Sequence, residues 1–268
     1  MPALMTFGSL FAGVGGFDLG LERSGMYCSW QVEKDNQCQK VLSWHWPNVK
    51  RFKDVTVEND YAAVDLICGG DPCPCRSRAR WITKRTGNPA DLAGYFLAVV
   101  AGVRPRWVLR ENVPASDDKD FAACLEYFGY RMVIIETNSA ALTAQNRERD
   151  IVVGCPQEKY GKFIASLPIE KSGHRYTETK YQKTAAYPVL TTHSCRWDAR
   201  DGYIFDGTGI RVADSEERCQ LAGFPLGWFR DLSKTSVARM TGNAVVPQVV
   251  EIIGRCILQA DSLGKERP

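Results

Sequence analysis

Short apolar segments alternate with amphipathic segments from the N-terminus to residue 155, and this alternation constrains the fold more than any other feature. The apolar segments predict strands at 6–11, 28–33, 65–68, 107–110, 131–137 and 149–154. The amphipathic segments predict helices, among them 17–25, 36–46, 90–102 and 120–128. Strands that alternate with helices favour a parallel sheet that is covered on both faces. We therefore predict an α/β fold.

The alternation weakens over 156–209, where Lys, Tyr, Thr and Gly dominate, and regular patterns return from residue 211. A structureless stretch of this length would be unusual inside a compact domain, although a long loop system is an alternative. We predict a catalytic and cofactor-binding part at 1–155 and a small target-recognition region at 156–209. Residues 210–268 would then return to the catalytic domain, with helices at 215–222 and 247–263.

The bulk composition is that of a globular protein that remains in a reducing compartment. The 268 residues are 44% hydrophobic and 24% charged, and no apolar run approaches the roughly 20 residues that span a bilayer. The first eight residues lack a signal-peptide pattern. The ten cysteines show no framework of spacings, so we predict no disulfides. No second Cys/His pair lies at ligand spacing, so we predict no metal site. A net charge of +3 does not by itself indicate a nucleic-acid partner.

One cysteine stands between two prolines directly after a predicted buried strand, in the sequence Gly70-Asp71-Pro72-Cys73-Pro74. Prolines exclude a helix here, so Cys73 lies at the end of a strand, where open α/β sheets carry their chemistry. Glu111 ends another apolar strand, which should neighbour the first. A thiolate is an effective nucleophile, and a carboxyl group can protonate a ring nitrogen. The alternative is an ordinary turn with a buried cysteine.

A glycine-rich turn, Phe11-Ala12-Gly13-Val14-Gly15-Gly16, separates the first predicted strand from the first helix. Such a turn lets the backbone approach a ligand, although a plain tight turn is the alternative. Glu33 ends the next strand, and its carboxylate can accept hydrogen bonds from two ribose hydroxyl groups unless it is simply solvated. Asp54 follows a further short segment and is a weaker candidate for an adenine amino group.

Two groups of cations complete the candidate residues. Arg147 and Arg149 lie two apart on a predicted extended segment, so both point to one side and could bind a carbonyl or phosphate oxygen. A surface ion-pair strip with Glu148 is the alternative. The second group follows Cys73 directly, contains no acid and suits a polyanion better than a solvated loop. It comprises Arg76, Ser77, Arg78, Arg80, Lys84 and Arg85.

With these segments in order, the chain resembles the DNA cytosine-5 methyltransferases. Six motifs carry the resemblance, and they occur in the family's order over nearly the whole chain. They are Ser9–Gly16, Gly70–Cys73, Glu111-Asn112-Val113, Gln145/Arg147/Arg149, Arg211 with Glu217–Pro225, and Gly242–Pro247. Each motif is weak by itself, but six in the right order are specific.

The resemblance implies the fold of S-adenosylmethionine-dependent methyltransferases: a Rossmann-like mixed sheet with helices on both faces, plus a small target-recognition region. It implies S-adenosylmethionine as methyl donor and S-adenosylhomocysteine as product. The residues expected around the donor are Phe11, Gly13, Val14, Gly15, Glu33, Asp54, Gly70, Pro72, Leu92, Asn243 and Val245.

The resemblance also implies the chemistry. Cys73 would attack C6 of a cytosine that has been extruded from double-stranded DNA, because the reaction cannot reach a stacked base. Glu111 would act on the N3 edge and Arg149 on O2, with Arg147 in support. Two alternatives remain: an RNA-directed enzyme acting on tRNA, and a catalytically inactive DNA-binding homologue, against which the intact Cys73, Glu111 and Arg149 speak.

The resemblance further suggests a monomer that reads a short target site, without membrane association, in the cytoplasm and nucleoid of a prokaryotic or virus-infected cell. A restriction–modification role fits, but the sequence does not show a companion nuclease. Three residues depart from the family pattern: Pro74 replaces a glutamine, Asp71 an aromatic residue or proline, and Arg110 an apolar residue. Asp71 would raise the pKa of the Cys73 thiol if its carboxylate faced the sulfur.

Overall fold

The structure of the protein is a computed structural model, which describes residues 4–72, 92–114, 117–143, 145–168, 190, 203–205, 207 and 209–262. Within these ranges, no helix combines the length and the apolar character that crossing a membrane requires. The predicted α/β fold is confirmed, since strands and helices alternate as far as residue 155.

Seven strands form one mixed sheet in the order β3-β2-β1-β4-β5-β7-β6. All six predicted strands are present, and the sheet also contains a three-residue strand, β3, that the sequence did not predict. The strands are β1 (Thr6–Leu10), β2 (Tyr27–Val32), β3 (Lys50–Phe52), β4 (Leu66–Gly69), β5 (Trp107–Asn112), β6 (Arg131–Asn138) and β7 (Glu148–Cys155). A separate antiparallel pair comprises β8 (Tyr203–Phe205) and β9 (Ile210–Val212).

The strand directions bring the ends that carry the candidate residues to one edge. Strands β1 to β5 pair in parallel, whereas β7 runs antiparallel to both β5 and β6. Leu10 of β1 pairs with Gly69 of β4, and Gly69 pairs with Arg110 of β5. The carboxyl ends of β1, β4 and β5 therefore meet, which is where ligands bind in open α/β sheets.

Helices cover both faces of the sheet. The described helices are α1 (Gly16–Ser24), α2 (Asn36–His45), α3 (Leu92–Val103), α4 (Asp117–Tyr127), α5 (Ala140–Thr143), α6 (Tyr160–Ser166), α7 (Ser215–Leu221), α8 (Lys234–Asn243) and α9 (Pro247–Ser262). Helices α1, α6 and α9 bury Leu21, Phe163 and Val250 against one face. Helices α3 and α4 bury Phe96 and Leu125 against the other. Because both faces are buried, the central strands β1, β4 and β5 are mainly apolar, and the charged residues Arg110 and Glu111 stand at the end of β5.

Local sequence signals explain where several helices begin and end. The Asp35 side chain accepts hydrogen bonds from the backbone N–H groups of Gln37 and Cys38, which starts α2. Asp214 and Glu217 form a capping box at the start of α7. Gly25 ends α1 in the left-handed region, with φ of 107°.

The chain returns to the first helix after residue 209. Helix α9 packs along α1, and a Cβ atom at Gly20 would lie 2.5 Å from the Pro247 carbonyl oxygen and 2.6 Å from Val250 Cβ. Gly16, at the start of α1, is equally close to the Val245 carbonyl oxygen, at 2.6 Å. Only glycine allows this approach, so the glycine-rich turn and the last motif are in direct contact.

Candidate active site

The candidate nucleophile and the basic segment fall outside the described part of the chain. This applies to Cys73 and to the predicted DNA-binding residues Arg76, Ser77, Arg78, Arg80, Lys84 and Arg85. Their roles stay predictions. Gly70, Asp71 and Pro72, which lead to Cys73, are described, and they lie at the carboxyl edge of the sheet directly after β4.

Glu111 lies beside the start of this cysteine segment. A Cβ atom built on Gly70 would lie 3.1 Å from the Glu111 carbonyl oxygen and 3.2 Å from its Oε2. The absence of a side chain at Gly70 therefore leaves room for the Glu111 carboxylate. The prediction that β5 neighbours β4 and brings Glu111 to the same edge as the cysteine segment is confirmed by the strand pairing.

Glu111 and Arg149 form an ion pair on neighbouring strands. Arg149 Nε lies 2.9 Å from Glu111 Oε1, and both side chains are largely buried. The contact between Arg149 Nε and Glu111 Oε1 is close but is not a hydrogen bond. Among the described residues, no group donates a hydrogen bond to this buried oxygen. The pair is thus held by charge, and Glu111 Oε1 keeps its acceptor capacity.

Arg147 lies below this pair and is only 3% exposed, so it does not belong to a surface strip with Glu148. Its Nη1 donates to the Gly242 carbonyl oxygen at 3.1 Å. Burial, and next the nearby Arg149 charge, lower the pKa of Arg147 to about 9. Two like charges are therefore held on one side of the extended segment, where an anion or a carbonyl oxygen would be attracted.

These residues line a concavity with about 220 Å³ of empty space, counting its open mouth. The polar lining comes from Glu111, Arg147 and Arg149, with Thr137 and Ser139 of β6 and its following turn. The apolar lining comes from Ile151, Val245, Val246 and Val249. The hollow thus places a carboxylate and two guanidinium groups beside apolar walls.

The glycine-rich turn faces a second candidate subsite. Phe11 and Gly13 have positive φ values of 51° and 56°, so the backbone turns sharply after β1. A Cβ atom at Gly13 would meet no described atom closer than the Phe11 carbonyl oxygen at 3.8 Å, so the backbone at this residue is not crowded. The Glu33 carboxylate is fixed next to it, since it accepts hydrogen bonds from the backbone N–H groups of Gly13 and Asp35, both at 2.7 Å.

Glu33 and Asp54 differ in their surroundings. Burial raises the pKa of Glu33, whereas the Lys34 ammonium and the Thr56 hydroxyl and amide groups lower the pKa of Asp54 to about 2. Asp54 lies near the surface, and its carboxylate oxygens already accept hydrogen bonds from Lys34 and Thr56. Its predicted role at an adenine amino group has no direct support from these contacts.

The other residues predicted around the donor differ in their exposure and contacts. Val14 is buried, and its carbonyl oxygen accepts a hydrogen bond from Trp228 Nε1 at 3.0 Å. A Cβ atom at Gly15 would collide with the Trp46 ring at 2.3 Å. Pro72 and Asn243 are exposed, Leu92 begins α3 half-buried, and Val245 lines the concavity.

The Asp71 carboxylate belongs to a buried ion pair. It accepts two hydrogen bonds from Arg110, from Nε at 2.6 Å and from Nη2 at 3.0 Å. Asp71 and Arg110, which depart separately from the family pattern, are therefore each other's partners. The sequence leaves open that Asp71 acts on the thiol of Cys73, but its negative charge is compensated within this pair.

The comparisons with known proteins agree on the family. The sequence model of the C-5 cytosine-specific DNA methylases matches residues 5–184 and 169–259. The chain belongs to this family. Type II methyltransferase M2.BsuMI of Bacillus subtilis strain 168 is 34% identical, over 94% of this chain and 75% of the relative. Type II methyltransferase M.HgiCII of Herpetosiphon aurantiacus is 33% identical over 60% of this chain, which spans only 39% of that relative's length.

Solved structures support the fold. A variant of Spodoptera frugiperda DNMT2 superposes with a TM-score of 0.73 at 13% identity, over 95% of this chain and 99% of that one. The predicted family and the predicted methyltransferase fold are thus confirmed, and the relatives support DNA cytosine-5 methyltransferase activity.

Sequence reasoning missed several residues that support the candidate site. His45 stacks on Trp228 with ring centres 3.5 Å apart, and its Nε2 lies 3.0 Å from the Trp228 carbonyl oxygen. Through Trp228, helix α2 therefore contacts the glycine-rich turn at Val14. Ser139 Oγ donates to the Gln145 carbonyl oxygen and so fixes the segment before Arg147. No sequence pattern indicates either contact, because the partners lie far apart or on a loop.

Proposed function

We propose that this protein transfers a methyl group from S-adenosylmethionine to C5 of a cytosine extruded from double-stranded DNA. The reaction would proceed through a covalent bond between Cys73 and C6 of the base. The proposal is carried by one observation: a buried Glu111–Arg149 ion pair, with an oxygen that accepts no hydrogen bond from described residues, lies beside Gly70, three residues before Cys73.

The described residues fit the donor. The uncrowded backbone at Gly13 would admit the ligand, and Glu33 is oriented by two backbone N–H groups. A carboxylate offers about four acceptor sites, so two remain for a ribose diol. Val245 and the glycine-rich turn, in contact through Gly16, would close the site from the other side. When bound, S-adenosylmethionine supplies an electrophilic methyl group.

The chemistry assigned to the protein side chains begins at C6. The Cys73 thiolate adds there, and the electron pair of the C5–C6 double bond moves toward C5 and N3. Glu111 stabilises the developing charge by a proton or hydrogen bond at N3, and Arg149 does so at O2. C5 then takes up the methyl group, and S-adenosylhomocysteine remains as the product. The C5 proton passes to solvent, any proton on N3 returns to Glu111, and departure of the thiolate restores the aromatic ring and the enzyme.

The same assignment predicts how the protein binds DNA and where it acts. Extruding a base costs a few kcal/mol, which phosphate contacts by the segment from Arg76 to Arg85 would offset. Residues 156–209 would read a short target. The type II relatives favour a DNA-modification role, which we place in the cytoplasm and nucleoid of a prokaryotic or virus-infected cell. The protein would act as a monomer.

A direct test uses the purified full chain with labelled S-adenosylmethionine and unmethylated duplex DNA, and, in parallel, bulk tRNA. We expect label in DNA alone, and bisulfite sequencing of plasmid from expressing cells should locate it at cytosines within one short sequence. Label in tRNA alone would favour the RNA-directed alternative. Label in neither, with DNA binding intact, would favour an inactive homologue.

A cysteine comparison tests the covalent step. Cys73→Ser should abolish turnover and leave S-adenosylmethionine binding unchanged, whereas Cys124→Ser, at an exposed cysteine of α4, should keep full activity. Duplex DNA with 5-fluorocytosine at the target should trap the wild-type protein covalently, because fluorine cannot leave as the C5 proton does. Trapping of Cys73→Ser would assign the nucleophile elsewhere.

A further inference from the structure

A buried arginine with two aspartate partners lies on the sheet face opposite the concavity. Arg110 is fully buried, and its Nη1 donates to Asp118 Oδ1 of α4 at 2.8 Å, in addition to the two hydrogen bonds to Asp71. Both carboxylates are buried as well, with Asp71 8% and Asp118 2% exposed. Burying three charged groups is costly unless their geometry is well matched, so this arrangement requires an explanation.

The position of Arg110 in the sheet connects it to the reacting groups. Successive residues of a strand point to opposite faces, so Arg110 and Glu111 are adjacent in sequence and face opposite ways. Glu111 faces the concavity and Arg110 faces α4, where its guanidinium lies 4.4 Å from the centre of the Phe121 ring. A shift of Arg110 along β5 would therefore also shift Glu111.

The same side chain contacts the entry of the segment that carries Cys73 and, through Phe121, is connected to the helix that follows the segment. Asp71 precedes this cysteine by two residues and is fixed to Arg110 at two atoms. After the segment, α3 begins at Leu92, and its Phe96 packs edge-on against Phe121 with ring centres 5.3 Å apart. Arg110 thus holds the entry of the segment directly and its exit through Phe121.

Asn112 adds a weaker connection from the same face of β5. Its Nδ2 lies 3.5 Å from the Asp71 carbonyl oxygen and 3.4 Å from Asp71 Oδ2. Two alternate residues of the strand that bears Glu111 thus contact the residue that leads to Cys73. The two predicted reacting groups are therefore mechanically coupled through residues that touch neither substrate nor donor.

We propose that Arg110 and Asp71 are positioning residues, which fix the entry of the Cys73 segment to the strand of Glu111. The inference rests on the proposed function, because it assigns the distance between these two groups a role in methyl transfer. Misplacing a reacting group by about 1 Å can cost about a hundredfold in rate.

The test compares one substitution at two arginines that each bind two aspartates, Arg110 in the buried pair and Arg106 at a half-exposed position. Arg110→Lys keeps the charge but removes the two-pronged hydrogen bonding to Asp71. Arg106→Lys is the matched control, since Arg106 also binds two aspartates, Asp65 at 3.0 Å and Asp261 at 2.6 Å, at the opposite ends of β4 and β5. Both variants are assayed for kcat, for KM of DNA and S-adenosylmethionine, and for thermal stability, well below the unfolding temperature.

We expect Arg110→Lys to lower kcat about 10- to 100-fold, with KM for S-adenosylmethionine nearly unchanged, and to slow trapping by 5-fluorocytosine DNA. Arg106→Lys should lower stability only. If Arg110→Lys does not fold, Asp71→Asn, which keeps one acceptor oxygen, serves instead, and its kcat should also fall. A folded Arg110→Lys or Asp71→Asn protein with wild-type kcat would overturn the inference. A wild-type protein that methylates no nucleic acid would overturn the proposed function instead.

Discussion

At the scale of single residues, the most informative group is the Glu111 carboxylate, because it is buried beside a cation and one of its oxygens accepts no hydrogen bond from the described residues. The Glu111→Gln variant keeps the shape but can neither carry a negative charge nor donate a carboxyl proton at N3. We expect kcat for DNA methylation to fall by about 10²- to 10⁴-fold, with S-adenosylmethionine affinity unchanged. Glu148→Gln, at an exposed carboxylate of the same strand as Arg149, is the control and should keep wild-type kcat.

Asp18 shows how a buried carboxyl group makes stability depend on pH. It accepts hydrogen bonds from Ser9 at 3.0 Å and from Gln31 at 2.8 Å, yet burial raises its pKa from 3.8 to about 6. The folded state therefore holds its proton more tightly than the unfolded state. The protonated Asp18 side chain contributes fully to the free energy of unfolding below about pH 4. This contribution is lost as the pH rises to about 6, and the total loss is about 3 kcal/mol.

The Asp18→Asn variant tests this dependence. An asparagine can accept from Gln31 and donate to the Ser9 hydroxyl, so the fold should tolerate it. We expect the difference in unfolding free energy between variant and wild type to shift in favour of the variant from pH 4 to pH 6 and to stay level above. Urea titrations at several pH values measure it, with Asp120→Asn at an exposed position of α4 as control. A constant difference would show that Asp18 is ionised throughout.

At the scale of elements, close contact between α1 and α9 joins the glycine-rich turn to the last motif. The Gly20→Ala variant would force Cβ against Pro247 and Val250, so we expect unfolding free energy to fall by about 1–3 kcal/mol. Gly102→Ala is the control, since this exposed glycine of α3 has no atom within 4 Å of the added carbon. That variant should be up to about 1 kcal/mol more stable, because alanine favours helices. Equal losses in chemical denaturation would contradict the packing argument.

The sequence predicted elements well where a pattern extended over several residues. Strands such as 107–110 were found because the apolar run is buried on both faces. Strand β3 was missed because Lys50–Phe52 is too short to show periodicity, and α8 because its buried face includes Ser236 and Thr241 and contains few large apolar residues. Both form through tertiary contacts, which local patterns do not record.

The sequence predicted the part of the candidate site that depends on strand order, but not the part that depends on contacts between distant side chains. The proximity of Glu111 to the cysteine segment followed from the strand order, since parallel neighbours end at one edge. The Arg110–Asp71 pair did not follow, because its partners lie 39 positions apart, and each alone resembled an isolated departure from a pattern. A charged residue inside an apolar strand is the one signal that could have indicated a buried partner.

At the scale of the whole molecule, the density of cations from Arg76 to Arg85 predicts a segment that binds DNA. Neutralising Arg78, Arg80 and Lys84 together should weaken DNA binding. For every phosphate that the variant no longer neutralises, the slope of log affinity against log salt should flatten by about 0.9. S-adenosylmethionine affinity should not change, because the predicted donor site lies around Gly13 and Glu33.

The control for this triple variant removes three cations from other exposed positions, Arg23 of α1, Lys119 of α4 and Arg255 of α9. Both triples change the net charge equally, so long-range attraction weakens to a similar extent in each, and only direct phosphate contact separates them. Fluorescence anisotropy with one duplex over a range of salt concentrations gives both slopes. Equal slopes for the two triples would mean that the segment after Cys73 acts through net charge alone, and the DNA would then have to be held by the region 156–209.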